Sequence, residues 1–242
     1  SGLMISGFMN VTGNMASGLH FSGIANITGQ SFGGLMASGL LNVVGEHMNG
    51  LQIAGIANIT ASKLNGVQVA LCNYATKARG LQIGLVNYYK EDMKGFQLGL
   101  VNANPDTKVQ MMVYGGNATP ANIGVRFKNQ LFYTILGVGS MYQGLNDKFS
   151  ASASYRAGLS FPLYKGLSIS GDLGYQHIEA FDNKDEVIPK RLYALQARAN
   201  LEYQFTKKFG IFATGGYGLT RFYNKSSNYD KGAIIEAGIV LF

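Results

Sequence analysis

Tryptophan is absent from this chain of 242 residues, cysteine occurs once, histidine three times and proline four times, and charged residues make up only 14%. Each shortage removes a class of protein. A single cysteine, Cys72, allows no internal disulfide. His20, His47 and His177 have no second His, Cys or paired carboxylate at ligand spacing, so no metal site is expected. Nucleophile elbows, phosphate-binding loops and zinc motifs are missing, and Gly215-Gly216-Tyr217-Gly218 reads as strand glycine rather than a cofactor loop. Nothing in the chain calls for a cofactor. Gly, Ser or Asn interrupts every hydrophobic stretch before it reaches about 18 residues, which excludes a transmembrane helix. A transmembrane strand stays open, because it hides its apolar residues at every second position.

The net charge is +7, but the basic residues are scattered and Lys128, Lys165, Lys207 and Lys208 each lie beside a tight connection. Without an arginine-rich, aromatic-interleaved stripe there is no nucleic-acid signature. A basic rim facing lipid phosphates is the use this excess favours, which makes outer-membrane lipid or lipopolysaccharide the expected partner.

What the chain does have is a short repeat, carried by many of its 33 glycines. Gly2, Gly18, Gly34, Gly50, Gly66, Gly80 and Gly95 each open a Gly-apolar-x-apolar segment, and each is followed by Asn10, Asn26, Asn42, Asn58, Asn73, Asn87 or Asn102. The glycine spacings are 16, 16, 16, 16, 14 and 15. A fixed short period means that each unit completes its core only by stacking on its neighbours. Between Gly and Asn the first four copies carry one residue more than GVQVALCN, GLQIGLVN and GFQLGLVN, which reads as a bulge lost from the strand. Cys72 stands where other copies have Val86 and Val101, which predicts a small buried filler. Ser1 occupies the place of Ser17, so the array is expected to continue upstream, behind a signal peptide.

Residues 1–107 and 108–242 differ in chemistry. Of the 28 Tyr and Phe residues 21 fall in the second part, while residues 1–62 hold one formal charge, Glu46. In residues 192–205 the odd positions (Tyr193, Leu195, Ala197, Ala199, Leu201, Tyr203, Phe205) are apolar with aromatic ends, and the even ones from Gln196 to Gln204 are polar. Such a strand turns one face to lipid and one to a wet or salt-bridged interior. The same alternation runs through 151–161 and 167–176, and further strands are expected at 109–116, 122–128, 131–142, 209–223 and 232–242. That makes eight, the smallest barrel that closes in an outer membrane. Short turns after Lys128, at 164–166 and at 206–208 alternate with long loops at 143–149, 179–190 and 224–231, as in outer-membrane barrels. Arg126, Lys128, Arg156, Asp172, Arg198, Glu202 and Glu236 all fall on the inward phase, where buried charges must pair. The terminal Phe242 is in phase with Glu236 rather than with Ile235, Ala237 and Ile239.

Two architectures compete for residues 1–107. Leu81, Ile83, Leu85 and Asn87 fall on one alternating face, too short an apolar run for the roughly 25 Å band of a lipid-facing strand. This favours a parallel β-solenoid with that face turned inward and the seven Asn residues stacked as a ladder at a corner. The alternative makes the repeats further antiparallel strands of one barrel of about 15 or 16, with two-residue hairpins at Gly13-Asn14, Gly29-Gln30 and Gly45-Glu46.

Residues 80–102, GLQIGLVNYYKEDMKGFQLGLVN, resemble the repeat of the surface-repeat proteins of Bacteroidetes and Leptospira, which similarly place repeat arrays ahead of a strand-rich tail such as NIGVRFKNQLFYTILGVG at 122–139. The resemblance covers most of the chain. It implies an outer-membrane or surface location in a diderm bacterium and carries no catalytic or binding residues with it.

The expected fold is therefore all-β, a repeat module at 1–107 and an antiparallel transmembrane barrel at 108–242. The expected function is a non-enzymatic anchor or scaffold in a cell-envelope assembly with other envelope proteins, and a porin-like channel is the alternative. A lipid-modifying enzyme would have to use Ser170, His177 and Glu179, but these lie at different heights and His177 is out of phase with Ser170.

Overall fold

The computed structural model describes residues 2–140, 142, 145, 149–181, 191–224 and 227–242. These form nineteen strands and no helix, in two compact units, Ser1–Asp106 and Thr107–Phe242.

In the first unit one side of each coil is a Gly-bearing strand: β1 (Gly2–Ser6), β3 (Ala16–Ser22), β5 (Phe32–Ser38) and β7 (His47–Ala54). The other side is an Asn-bearing strand: β2 (Met9–Thr12), β4 (Ala25–Thr28) and β6 (Leu41–Val44). In later coils a single strand runs through both sides, as β8 (Ala57–Val69), β9 (Cys72–Ile83) and β10 (Val86–Leu98), before β11 (Val101–Ala103) ends the array. All pairs are parallel and in register, so Gly2 lies beside Gly18, Gly18 beside Gly34, and so on to Gly80 beside Gly95. The repeats are a solenoid, and the larger-barrel alternative fails. Gly13-Asn14, Gly29-Gln30 and Gly45-Glu46 lie where one coil passes to the next rather than in hairpins; Glu46 N donates to Gln30 O at 2.8 Å.

The repeat glycines are dictated by this stacking. From Gly18 to Gly95 their φ lies between 113° and 147°, and an added Cβ would sit 1.9 to 2.1 Å from the carbonyl oxygen of the glycine one coil earlier. Only a residue without a side chain fits.

Two expectations about the coil are corrected. Leu81 and Ile83 do not share a face with Asn87: Gln82 and Asn87 are buried, Leu81 is half-buried and Ile83 and Leu85 are exposed. The bend at Gly84-Leu85 resets the alternation, so the apolar residues flanking it point out and the amides point in. Cys72 is likewise exposed, because the residue before the repeat Asn belongs to the outward column. The missing residue of the later repeats is lost at this bend, not from a bulge: Ile53 pairs with Val69 and Ala57 with Cys72, leaving three residues opposite two. The register shifts fall instead on the other side of the coil, between Thr60 and Lys63 and between Tyr89 and Asp92.

The solenoid's apolar core is small. Phe32, Met36, Val44, Met48, Leu64, Ala75 and Ala78 fill it, and stacked amides occupy the rest of the interior.

The second unit is a closed barrel of eight antiparallel strands in chain order: β12 (Lys108–Gly116), β13 (Ala121–Asn129), β14 (Phe132–Ser140), β15 (Ser150–Tyr164), β16 (Leu167–Ala180), β17 (Arg191–Thr206), β18 (Phe209–Phe222) and β19 (Asn228–Leu241). Pairing of Met111 with Leu241 through Gly116 with Glu236 closes it. Inward and outward residues alternate along β17, with Leu195, Leu201, Tyr203 and Phe205 exposed and Gln196, Arg198, Asn200 and Glu202 buried. Aromatic rings gather at both strand ends: Tyr203, Phe205 and Phe209 at the end with the short turns, Tyr175, Tyr193 and Tyr223 toward the other. The ten residue steps from Tyr193 to Tyr203 span about 33 Å along the strand, or about 25 Å of height at a tilt of about 40°. The predicted loops at 143–149, 179–190 and 224–231 lie partly outside the described residues; β16 extends to Ala180 and β19 starts at Asn228.

Candidate functional site

Among the described residues, the buried Arg, Asp and Glu side chains gather in the barrel interior. Arg126, Arg156, Asp172, Arg198, Glu202 and Glu236 are all buried there, with Arg156 at 1% exposure, and Lys128 is half-buried with its Nζ donating to Ser160 Oγ at 2.8 Å.

Arg126 and Glu202 form a two-pronged pair, Nη1 to Oε2 at 2.6 Å and Nη2 to Oε1 at 3.0 Å, while Nε of Arg126 donates to Gln110 at 2.6 Å. Arg156 clasps Asp172 through Nε at 2.9 Å and Nη2 at 3.0 Å. The same carboxylate accepts from Tyr133 Oη and from Asn200 Nδ2, both at 2.8 Å. Arg198 donates to Glu236 at 3.1 Å, and the other oxygen of Glu236 lies 3.9 Å from Arg156 Nη1. Parallel N–H···O contacts to a planar carboxylate hold these rings of charge in fixed geometry.

Glycine makes the room. Arg156 lies opposite Gly174, Arg198 opposite Gly216 and Asp172 opposite Gly158 in the strand register. A Cβ on Gly174 would meet Arg156 Cγ at 2.9 Å, and one on Gly158 would meet Asp172 Cβ at 2.7 Å. In the narrow lumen of an eight-stranded barrel, each of these long side chains has a glycine beside it on one neighbouring strand.

Polar and apolar layers continue the filling. Gln196 donates to Gln176, which donates to Ser152 at 2.8 Å. Beyond them Tyr142, Leu145, Ile178, Ala180, Leu192 and Ala194 pack together inside the end that carries the long loops. At the short-turn end Phe242 packs against the interior group of Met112, Tyr114, Tyr133, Ile135, Phe212 and Val240. Among the described residues, a cavity of about 500 Å³ lies at the short-turn end, lined in part by Lys108, Lys128, Lys165 and Glu202, and another of about 290 Å³ is lined in part by Asn117, Tyr142 and Asp230. The ionic layer lies between them.

In the first unit the seven repeat Asn residues form one chain of side-chain hydrogen bonds. Asn10 donates to Asn26, Asn26 to Asn42, Asn42 to Asn58, Asn58 to Asn73, Asn73 to Asn87 and Asn87 to Asn102, all at 2.9 to 3.0 Å. From Asn10 to Asn87 each Nδ2 also reaches a carbonyl on the Gly-bearing side of the next coil, as Asn42 does to Ile53 O at 2.7 Å, and so ties the two sides together. A second ladder was missed in the sequence. Gln68 donates to Gln52, Gln82 to Gln68 and Gln97 to Gln82 at 2.8 to 2.9 Å, with Thr60 Oγ1 also bonded to Gln52. Its signal was the Gly-x-Gln of four successive repeats, where earlier copies have Met4, His20 and Met36.

The residues of the lipid-modifying reading do not meet. Ser170 is buried inside the barrel and bonded to Asn200, whereas His177 and Glu179 lie on the outward phase, 3.3 Å apart, with Tyr223 and Arg191 as their partners.

No family model matches this chain, and no curated protein matches it. Among solved structures it is similar to the N-terminal β-barrel domain of Pseudomonas aeruginosa OprF, at 16% identity and a TM-score of 0.39, covering 55% of this chain and 93% of that one. It is similar to Neisserial surface protein A, NspA, at 9% identity and a TM-score of 0.38, with the same coverage of 55% and 93%. The site is therefore defined by the lumen's own geometry.

Proposed function

We propose that this chain is a non-enzymatic outer-membrane β-barrel protein that serves as an anchor or scaffold subunit of a cell-envelope assembly. The observation that carries the reading is the lumen: among the described residues, paired arginines and carboxylates cross it in layers, with a cavity to either side of them. A polar, ion-paired interior behind an aliphatic wall with aromatic ends is the arrangement that suits a bilayer, where a closed sheet leaves no backbone edge unpaired. A lumen filled in this way favours an anchoring role over a transporting one. In the alternative, a porin-like channel, the repeats would have to widen the wall, and their parallel stacking removes them from it.

Planar-bilayer recording of the purified full chain tests the proposal. The expected result is no stable conductance step; reproducible open-channel steps would replace the anchor with a pore. Fractionation of the producing cell tests location, with the chain expected in the outer-membrane fraction.

A further inference from the structure

The solenoid is polar at one corner and apolar at the other. Where a Gly-bearing strand turns into an Asn-bearing one, the bend carries an outward apolar residue in every coil: Phe8, Ile24, Leu40, Ile56, Leu71, Leu85, Leu100. Where one coil passes to the next, the residues are Asn14, Gln30, Glu46, Ser62, Lys77 and Glu91. The outward columns grade between these extremes. Beside the polar corner stand Ser17, Asn49, Asn65, Arg79 and Lys94; then comes a column such as Leu19, Leu51 and Phe96; then one such as Ile5, Ile53 and Leu98, next to the apolar bend.

We propose that this apolar edge is immersed in the acyl-chain layer of a lipid bilayer while the opposite, polar corner is held out of it. The inference rests on the membrane reading of the barrel and adds a second, separate lipid contact.

Four observations favour acyl chains as the occupant. First, the edge is continuous: seven coils at about 4.8 Å spacing make a strip about 29 Å long, far beyond the isolated apolar patches of a water-exposed surface. Phe8 is 64% exposed, Ile5 73% and Phe96 75%. Second, the bend and its flanking columns contain no charged residue, and every formal charge after Glu46 in the array, from Lys63 to Lys94, lies at or beside the polar corner. Third, coil stacking satisfies the backbone along the sides of the solenoid, which is the condition lipid imposes on any segment it touches. Fourth, side-chain size varies without order along each column, and a shallow groove of about 370 Å³ opens where Ala37 follows Ile5 and Phe21. A fluid of acyl chains conforms to such relief. A folded protein partner requires matched shape and is most often anchored by Trp, Tyr or Arg, none of which stands in the bend column.

The chain contains its own reporter. Cys72 is its only cysteine, is exposed, and lies one residue past the apolar bend. The full chain, nitroxide-labelled at Cys72 and reconstituted into phosphatidylcholine vesicles, is compared with labels at Leu173→Cys on the barrel wall and Gln30→Cys at the polar corner, both made with Cys72→Ser. The Cys72 label needs no substitution, so folding of a variant does not limit the central measurement. Labels at 72 and 173 are expected to collide with oxygen several-fold more, and with a water-soluble nickel chelate several-fold less, than the label at 30. If position 173 is lipid-exposed and Cys72 meets nickel freely, the edge lies in water and the inference is overturned while the barrel reading stands. Dipolar broadening at Cys72 that vanishes on dilution with unlabelled chain assigns the edge to a second copy and also overturns it. Nickel access at position 173 removes the membrane reading itself.

Discussion

The repeat module and the barrel solve one problem by opposite chemical means. Both bury polar side chains beside small apolar clusters, yet the polar part of the solenoid interior is mainly neutral amides and that of the barrel is centred on paired ions. Symmetry explains the difference. In-register parallel stacking places each side chain against its own equivalent, so an inward lysine or aspartate would meet a column of like charge. Only a group that donates and accepts at once is complementary to itself, and among long side chains that means Asn and Gln. Antiparallel pairing in the barrel sets different residues against each other, so Asp172 lies opposite Arg198 and beside Arg156, and opposite charges can be arranged. Repetition restricts the interior to amides; its absence permits ions.

The sharpest way to break this contrast is to remove one ion. Asp172→Ala leaves Arg156 buried with only a long hydrogen bond to Asn200 Oδ1 at 3.4 Å and the distant oxygen of Glu236, and is expected to cost about 3–5 kcal/mol, seen as earlier thermal unfolding of the detergent-folded chain. A change below about 1 kcal/mol would mean that water fills the lumen and screens the pair. Next in size is Gly66→Ala. Its Cβ would lie 1.9 Å from Gly50 O at a φ of 143°, and the dihedral alone costs about 1–3 kcal/mol, before the overlap is relieved. Loss of protease resistance in the repeat module, with the barrel's heat-stable mobility retained, is the expected signature.

Asn58→Asp probes the symmetry rule itself. At neutral pH a carboxylate accepts from Asn42 and cannot donate to Asn73 or to Val69 O, so a loss of about 1–3 kcal/mol is expected. Acid returns part of it, because the protonated carboxyl regains one donor. Stability that does not depend on pH in this variant would show that the ladder does not need its donors. The smallest effect is at His20, where burial pushes the ring's pKa below its ordinary 6.5. The folded chain then holds fewer protons than the unfolded one as pH falls through 6.5, so stability present at neutral pH is lost toward acid. An NMR titration of His20 with a midpoint at or above 6.5 would contradict this, and His20→Met, matching Met4 and Met36 in the same column, should abolish the dependence.

Much of the barrel was legible because period-2 alternation states both the secondary structure and the face. The strands at 151–161, 167–176 and 192–205 follow from it, as does the inward phase of Arg156, Asp172 and Arg198. Their partners were not legible. Glu202 meets Arg126 from four strands away, a relation that needs the closure of the sheet. The repeats were harder, because alternation does not continue through a bend: Leu81, Ile83 and Leu85 counted by twos lead to Asn87, but the turn at Gly84-Leu85 changes which side is inside. Cys72 was misplaced for the same reason, and the Gln ladder was hidden within what looked like an apolar segment.

By itself the sequence determined the spacing of the repeats and where they give way to the second unit, that residues 108–242 alternate like barrel strands, and which residues would stack on their equivalents, because spacing and phase are properties of a linear chain. Tertiary structure alone decided which face of the repeat is the interior, and which charge pairs with which across the lumen. Both depend on how bends and closure bring distant backbone together, and a local pattern of polar and apolar residues has the same form whether its greasy side faces a core or a membrane.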